Sequence, residues 1–121
     1  MTWENLVAEA SKVTKPKKLS PWADAGGVGA ALLSASGTVY TGVCIDTCCS
    51  MGFCAEHAAA AAMVTAGEHR VVKMVAVGWD GQLMAPCGRC REFIGQLHEQ
   101  NGQTEVLLPG NQVQTLDELM P

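Results

Sequence analysis

The stretch CAEHAAAAAMVTAGEHRVVKMVAVGWDGQLMAPCGRC, residues 54–90, decides how this chain folds. Cys54-Ala55-Glu56 stands at one end and Pro86-Cys87-Gly88-Arg89-Cys90 at the other. Cys54 to Ala66 is rich in alanine, the best helix former, and Gly67 suits a helix C-terminus. Val71 to Trp79 is an apolar run with β-branched residues, which predicts a buried strand. Asp80-Gly81 turns the chain. Pro86 then opens an amphipathic helix over roughly Cys87 to Gln100, with Phe93, Ile94 and Leu97 inward. Both cysteine clusters therefore fall at helix N-termini, one on each side of a buried strand.

Working outward, residues 3–14 put Leu6, Val7 and Ala10 on one helical face. Pro16 and Pro21 end that helix and open a loop. Val28 to Ser34 and Thr38 to Ile45 read as strands joined by a Ser36-Gly37 turn, and residues 46–53 read as a loop. Downstream, Gly102 ends the third helix and Thr104 to Leu108 forms a strand. Pro109-Gly110 turns the chain into a short final helix around Leu116 to Met120. The order predicts an α/β fold, a mixed sheet with helices packed on it. No repeat, linker or boundary interrupts it, so residues 1–121 read as a single domain.

Composition narrows the function. A chain of 121 residues, 48% hydrophobic and 17% charged, can bury a core and does not read as disordered. A formal net charge of -4 argues against nucleic acid or an anionic membrane as partner. No apolar run is long enough to span a bilayer, and residues 1–20 lack a secretory pattern. Six cysteines in that setting point to a reducing compartment, the cytoplasm, and to metal or catalysis rather than disulfides. Lys12, Lys15, Lys17 and Lys18 read more readily as a solvated loop than as a phosphate-binding patch.

The two clusters carry the chemistry. Thiols at helix N-termini ionise readily and bind metal. Cys87 and Cys90, three apart, share a helical face and can share one ion, with Cys54 reaching it from the other helix. Three protein ligands leave one position of a tetrahedral zinc shell for water, the arrangement of metal-assisted hydrolysis. Three thiolates on Zn²⁺ leave one negative charge, and His57, Arg89 and Arg91 are the nearest cationic candidates. Glu56 need not ligate; in the first helical turn it is placed to accept and deliver a proton. The competing reading is a structural zinc site closed by Cys44, Cys48 or Cys49. The chain would then be a catalytically silent zinc protein of binding or assembly.

Cys-Ala-Glu followed by Pro-Cys-x-x-Cys is the all-cysteine form of a zinc deaminase signature. With Val28-Gly29-Ala30-Ala31-Leu32, Thr41-Gly42-Val43 and Arg91, it makes the chain resemble the cytidine deaminase family, blasticidin-S deaminases included. The resemblance covers most of the chain. It implies a cytidine deaminase-like three-layer α-β-α fold on a mixed, five-stranded sheet, the fifth strand an edge near Gln112 to Gln114. It implies one Zn²⁺ per subunit on Cys54, Cys87 and Cys90, with Glu56 as proton shuttle and the backbone around Ala55 against the substrate base. His57, Pro86, Arg89 and Arg91 flank these as site support. The implied reaction converts an aminated pyrimidine-type nucleoside or related heterocycle to its keto form with release of ammonia. The implied assembly is a homotetramer.

Departures from the family pattern concern the substrate. Where relatives usually carry Asn-x-Glu to hold ribose hydroxyls, this chain has Cys44-Ile45-Asp46. Asp46 still accepts a hydroxyl proton, whereas Cys44 is a weak hydrogen-bonder. The family's aromatic near the base falls at about Gly26, leaving Trp22 or Phe53 to fill that space. The arginine after Cys-Ala-Glu is His57, which predicts a pH dependence near neutrality, and the glutamine after Cys90-Arg91 is Glu92. A modified cytidine, a cytosine-containing antibiotic or another small aminated heterocycle thus stands beside cytidine as substrate. Trp79 reads as packing or a subunit contact. Ala58 to Ala62 reads either as plain helix propensity or as an oligomer centre.

Overall fold

A computed structural model describes residues Met1–Pro121. Its helices are α1 (Trp3–Val13), α2 (Ala55–Thr65), α3 (Gly88–Gln96) and α4 (Leu116–Leu119). Its strands are β1 (Lys17–Ser20), β2 (Ala23–Ser34), β3 (Val39–Thr47), β4 (Val71–Gly78), β5 (Leu83–Met84), β6 (Glu105–Leu108) and β7 (Gln112–Thr115). All seven share one sheet, larger than the five strands expected. Five of them form its ranks in the order β3-β2-β4-β6-β7. Only the β4–β6 pair is parallel. The two additional strands are short. β1 pairs with the start of β2, ahead of the residues that β4 covers, and β5 pairs with the end of β4.

Both additions fall where sequence signals are weakest. The prolines at 16 and 21 flank rather than interrupt the hydrogen-bonded residues of β1, so the expected loop is an edge strand. Its exposed Lys17 and Lys18 guard that edge against further strand pairing. Two-residue β5 is too short to show a period. The 46–53 segment is also less free than a loop: β3 runs to Thr47, and Ile45 bridges Phe53.

The sheet is covered on both faces, and alternation along the strands shows it. Ala30, Leu32, Met74, Ala76 and Val106 point to the face under α2, α3 and α4. Their neighbours Ala31, Leu33, Val75, Val77 and Leu107 meet Leu6 and Ala10 of α1 on the other. A strand buried on both sides reads as a continuous apolar run, which is why β4 was legible. These faces make three layers, α1 against the sheet and three helices behind it. Leu32 is fully buried, and truncation to alanine there would cost about 2–5 kcal/mol.

The alanines of α2 have a use inside the chain. A Cβ on Gly42 would lie 2.4 Å from the Ala59 nitrogen and 2.6 Å from the Ala58 Cβ, so α2 lies directly on the β3 backbone. Ala59 and Ala60 are fully buried there, while Ala61, Ala62 and Val64 face outward. Helix α3 ends at Gln96 rather than Gln100. Buried Asn101 accounts for the difference: its amide donates to the carbonyls of Ile94 (2.9 Å) and His69 (3.0 Å) and accepts from the Val71 N–H (2.9 Å). One side chain thereby joins the end of α3 to the start of β4. No helix is long and apolar enough to cross a membrane.

Candidate functional site

The N-termini of α2 and α3 meet at one end of the sheet. Cys54 is the N-cap of α2 and Cys87 the N-cap of α3, both extended, and Cys90 lies in the first turn of α3. The Cys87 Sγ accepts the Cys90 N–H at 3.4 Å, so one ligand also caps the helix that carries another. The Sγ atoms of Cys54 and Cys87 are 3.4 Å apart, and those of Cys87 and Cys90 are 3.5 Å apart. All three sulfurs lie within 4.8 Å of one another, and no other cysteine, histidine or carboxylate joins the group. Cys48 and Cys49 are exposed on the 46–53 segment, and Cys44 is taken up elsewhere. The closed four-cysteine structural site is therefore not formed.

A tetrahedral zinc ion, with Zn–S bonds of ~2.3 Å, sets its sulfurs ~3.8 Å apart, close to the spacing here. The charge balance differs from the ready ionisation that the helix N-termini predict. Burial, then the Cys87 thiol, holds Cys54 in its neutral form, and burial followed by the Glu56 charge drives Cys90 strongly upward. Burial also opposes the Cys87 thiolate, but the Cys90 N–H and the neighbouring thiols outweigh it and lower the Cys87 pKa. Three ionised sulfurs at this distance need a cation between them. The donor set fits a zinc ion.

Glu56, in the first turn of α2, is 4% exposed. Burial raises its carboxyl pKa, against the smaller opposing pull of its own backbone N–H and of Cys90. It shares a cavity of about 630 Å³ with Cys54, Cys87 and Ala55. Cys44, Asp46 and Arg89 line the same space. The cavity thus gathers most of the residues singled out in the sequence.

Three of the supporting residues fall elsewhere. Pro86 is buried behind Cys87 and outside the lining. Arg91 points to the far side of α3, where its guanidinium donates to the Leu119 carbonyl at 2.5 Å and ties α4 to α3. His57 is behind the sulfurs, its Nδ1 3.3 Å from the Cys90 Sγ. Its ring stacks on Phe93, centroids 4.4 Å apart at 11°, so Phe93 is half-exposed packing for the site rather than core. Burial, then Arg89, lowers the His57 pKa and so favours the neutral imidazole. The cation on the cavity wall is Arg89.

The opposite wall comes from an irregularity in β2. The β2–β3 register shifts between Ala25 and Gly29, and Gly26 has φ +84°. A Cβ on Gly26 would lie 2.0 Å from the Lys15 carbonyl oxygen, so no aromatic can stand there. The bulge turns Gly27 and Val28 into the cavity. The Cys44 Sγ accepts the displaced Val28 N–H at 3.3 Å and faces the Asp46 carboxylate at 3.7 Å. Of the two aromatics considered for the empty place, Phe53 lines the cavity and Trp22 does not. Trp79, read as packing or contact surface, lines it too. An apolar residue directly before a turn was the only signal in sequence.

No protein-family model matches the chain. A cytidine deaminase of Sporosarcina psychrophila is 35% identical over 109 residues, 89% of this chain and 77% of that protein. A cytidine deaminase of Mycobacterium tuberculosis (strain CDC 1551 / Oshkosh) is 33% identical over 82 residues, 67% of this chain. That match spans 59% of the Mycobacterium tuberculosis protein's own length. Among solved structures, the cytidine deaminase from Mycobacterium leprae superposes with a TM-score of 0.84 at 26% identity, covering 100% of this chain and 98% of the other.

Proposed function

We propose, from the premise that this chain belongs to the cytidine deaminase family, that it is a zinc-dependent aminohydrolase acting as one domain. It takes an aminated pyrimidine-type nucleoside or related heterocycle, replaces the amine by a keto oxygen and releases ammonia. The observation that carries this reading is a buried carboxyl, Glu56, sharing one cavity with Cys54 and Cys87 of the three-sulfur group. A structural zinc site has no use for a carboxyl in that place.

Cys54, Cys87 and Cys90 would hold the ion, which supplies Lewis acidity to the reacting centre when bound. The chain does the rest. Glu56 takes one proton from the attacking water and passes it to the ring nitrogen; it then takes the second proton from the added hydroxyl, as the keto C=O forms and the C–N bond breaks, and gives it to the leaving amine. Its desolvated setting suits both directions of transfer. Arg89 on the wall offsets the negative charge of the sulfur group. The Ala55 backbone borders the place of the base, and Asp46, steadied by Cys44, is the acceptor for a substrate hydroxyl. A homotetramer in the cytoplasm, without nucleic-acid or membrane partners, completes the reading. Exposed Trp22, Met51 and Val64 provide apolar surface for subunit contact.

The direct test is ammonia release by zinc-loaded protein. The panel is cytidine, deoxycytidine, cytosine, modified cytidines, blasticidin S and other aminated heterocycles. Turnover of one of them, lost in Glu56→Ala with zinc retained, is the expected result. A zinc-loaded protein silent across the panel would move the assignment to a binding role.

A further inference from the structure

Trp79 is 72% exposed just after β4, yet its backbone is hydrogen-bonded into the cavity wall. Its N–H donates to the Gly27 carbonyl at 2.9 Å, which fastens it across the sheet to the bulge of β2. On either side the β4–β5 hairpin is closed by Gly78 N–H to the Gln82 carbonyl (2.8 Å) and Gly81 N–H to the Gly78 carbonyl (2.9 Å). The Asp80 carboxylate adds a third closure by accepting the Gln82 N–H at 3.1 Å. A large apolar ring left in water on a fixed backbone loses little freedom when something covers it. It lines the same cavity as Glu56. Across the hydrogen bond, a Cβ on Gly27 would meet nothing within 4 Å, so the bulge side of the wall is open.

We propose that Trp79 is the specificity-determining platform of the cavity, its indole face stacking on the flat ring of the substrate. The inference rests on the aminohydrolase reading and deepens it. An indole has no charge and one donor, so it recognises a planar, π-rich heterocycle through area and stacking rather than through an anionic or extended group. The preference is for the ring, and the tolerance is for what the ring carries.

The test uses the zinc-loaded full chain. Trp79→Ala should raise KM for the turned-over heterocycle about tenfold with kcat nearly unchanged, and Trp79→Phe should restore most of the loss. Substitution of so exposed a side chain leaves the fold intact, checked by zinc content and Tm. A second measurement reads binding without turnover. In a Trp3→Phe, Trp22→Phe, Glu56→Gln protein, Trp79 is the only indole. Its fluorescence should be quenched in a saturable way by cytidine or uridine. Turnover by the parent with an unchanged KM in Trp79→Ala overturns the platform and leaves the aminohydrolase reading standing. A change of oligomeric state in Trp79→Ala without a change of KM also overturns it, in favour of a subunit contact. Saturable quenching without ammonia release by the parent supports the platform and overturns the reaction. Absence of both overturns both.

Discussion

The sulfur group and the wall facing it are built in opposite ways. Cys54, Cys87 and Cys90 stand at or in the first turns of two helices, each placed by local rules of capping and spacing. The facing wall is made from a bulge at Gly26, a bridge at Phe53 and a hairpin at Trp79, with the Trp79 N–H on the Gly27 carbonyl joining hairpin to bulge. On the proposed function, the chemistry is on regular elements and the recognition on irregular ones. Regular elements hold reacting groups to narrow tolerances, while irregular segments change without disturbing the core. A family can keep one reaction and vary its substrate by altering only the second region.

Substitutions in the two regions should therefore fail differently. The largest effect belongs to the sulfur group. Cys87→Ala removes a ligand and the side-chain cap of α3 together, so zinc content, ammonia release and Tm should all fall. A chelator should lower the parent's Tm toward that of the variant. A Cys87→Ala protein with full zinc content would refute the ligand set.

Glu56→Gln should separate chemistry from structure. We expect kcat to fall by about 10²–10⁴ while zinc content is kept and Tm is unchanged or higher, because a buried charge is exchanged for an isosteric amide. Retained turnover would remove Glu56 from the reaction.

On the recognition side, Gly26→Ala places a side chain at φ +84° and against the Lys15 carbonyl. The left-handed conformation alone costs about 1–2 kcal/mol, so denaturant unfolding should shift by at least that amount, with KM rising as the bulge deforms. Stability equal to the parent would mean that the bulge is not rigid. Cys44→Ala should be milder, raising KM a few-fold through a less ordered Asp46, with kcat and zinc content kept. A fall in zinc content there would restore Cys44 as a ligand.

The smallest effect lies away from both regions and calibrates them. Tyr40 donates to the Glu68 carboxylate at 2.5 Å, which lowers the Glu68 pKa and raises that of Tyr40. The Glu68 contribution is present above the unfolded carboxyl pKa and is lost as pH falls through the lower folded value. The Tyr40 contribution is present below the unfolded phenol pKa and is lost as pH rises through the higher folded one. Tyr40→Phe should thus lower Tm slightly between about pH 5 and 9 and converge with the parent at either extreme. A constant difference across pH would mean the loss is packing.

Elements were legible where one local signal dominated. The alanine run of α2 and the apolar run of β4 lie where the residues pointed, and the Gln112 edge strand lies where the family resemblance put it. The missed strands, β1 and β5, owe their pairing to β2 and β4 and have no period of their own. Helix α3 was read too long because its end is set by Asn101, whose partners lie up to 32 residues away in sequence. Phe93 was assigned inward from helical spacing, yet its partner is the His57 ring of another helix.

By itself the sequence determined the family, the α/β order of elements, and the three thiols and one carboxyl from which a reaction follows. Those depend on residue type and short spacing, which act over one or two helical turns. Only the tertiary structure decided which residues line the cavity. It put Trp79 and Phe53 on the cavity wall, turned Arg91 away to α4, and left Arg89 as the cation beside the sulfurs. The physical reason is range: a side chain's direction follows from its own backbone, but its neighbours depend on how distant strands register and where a bulge shifts them.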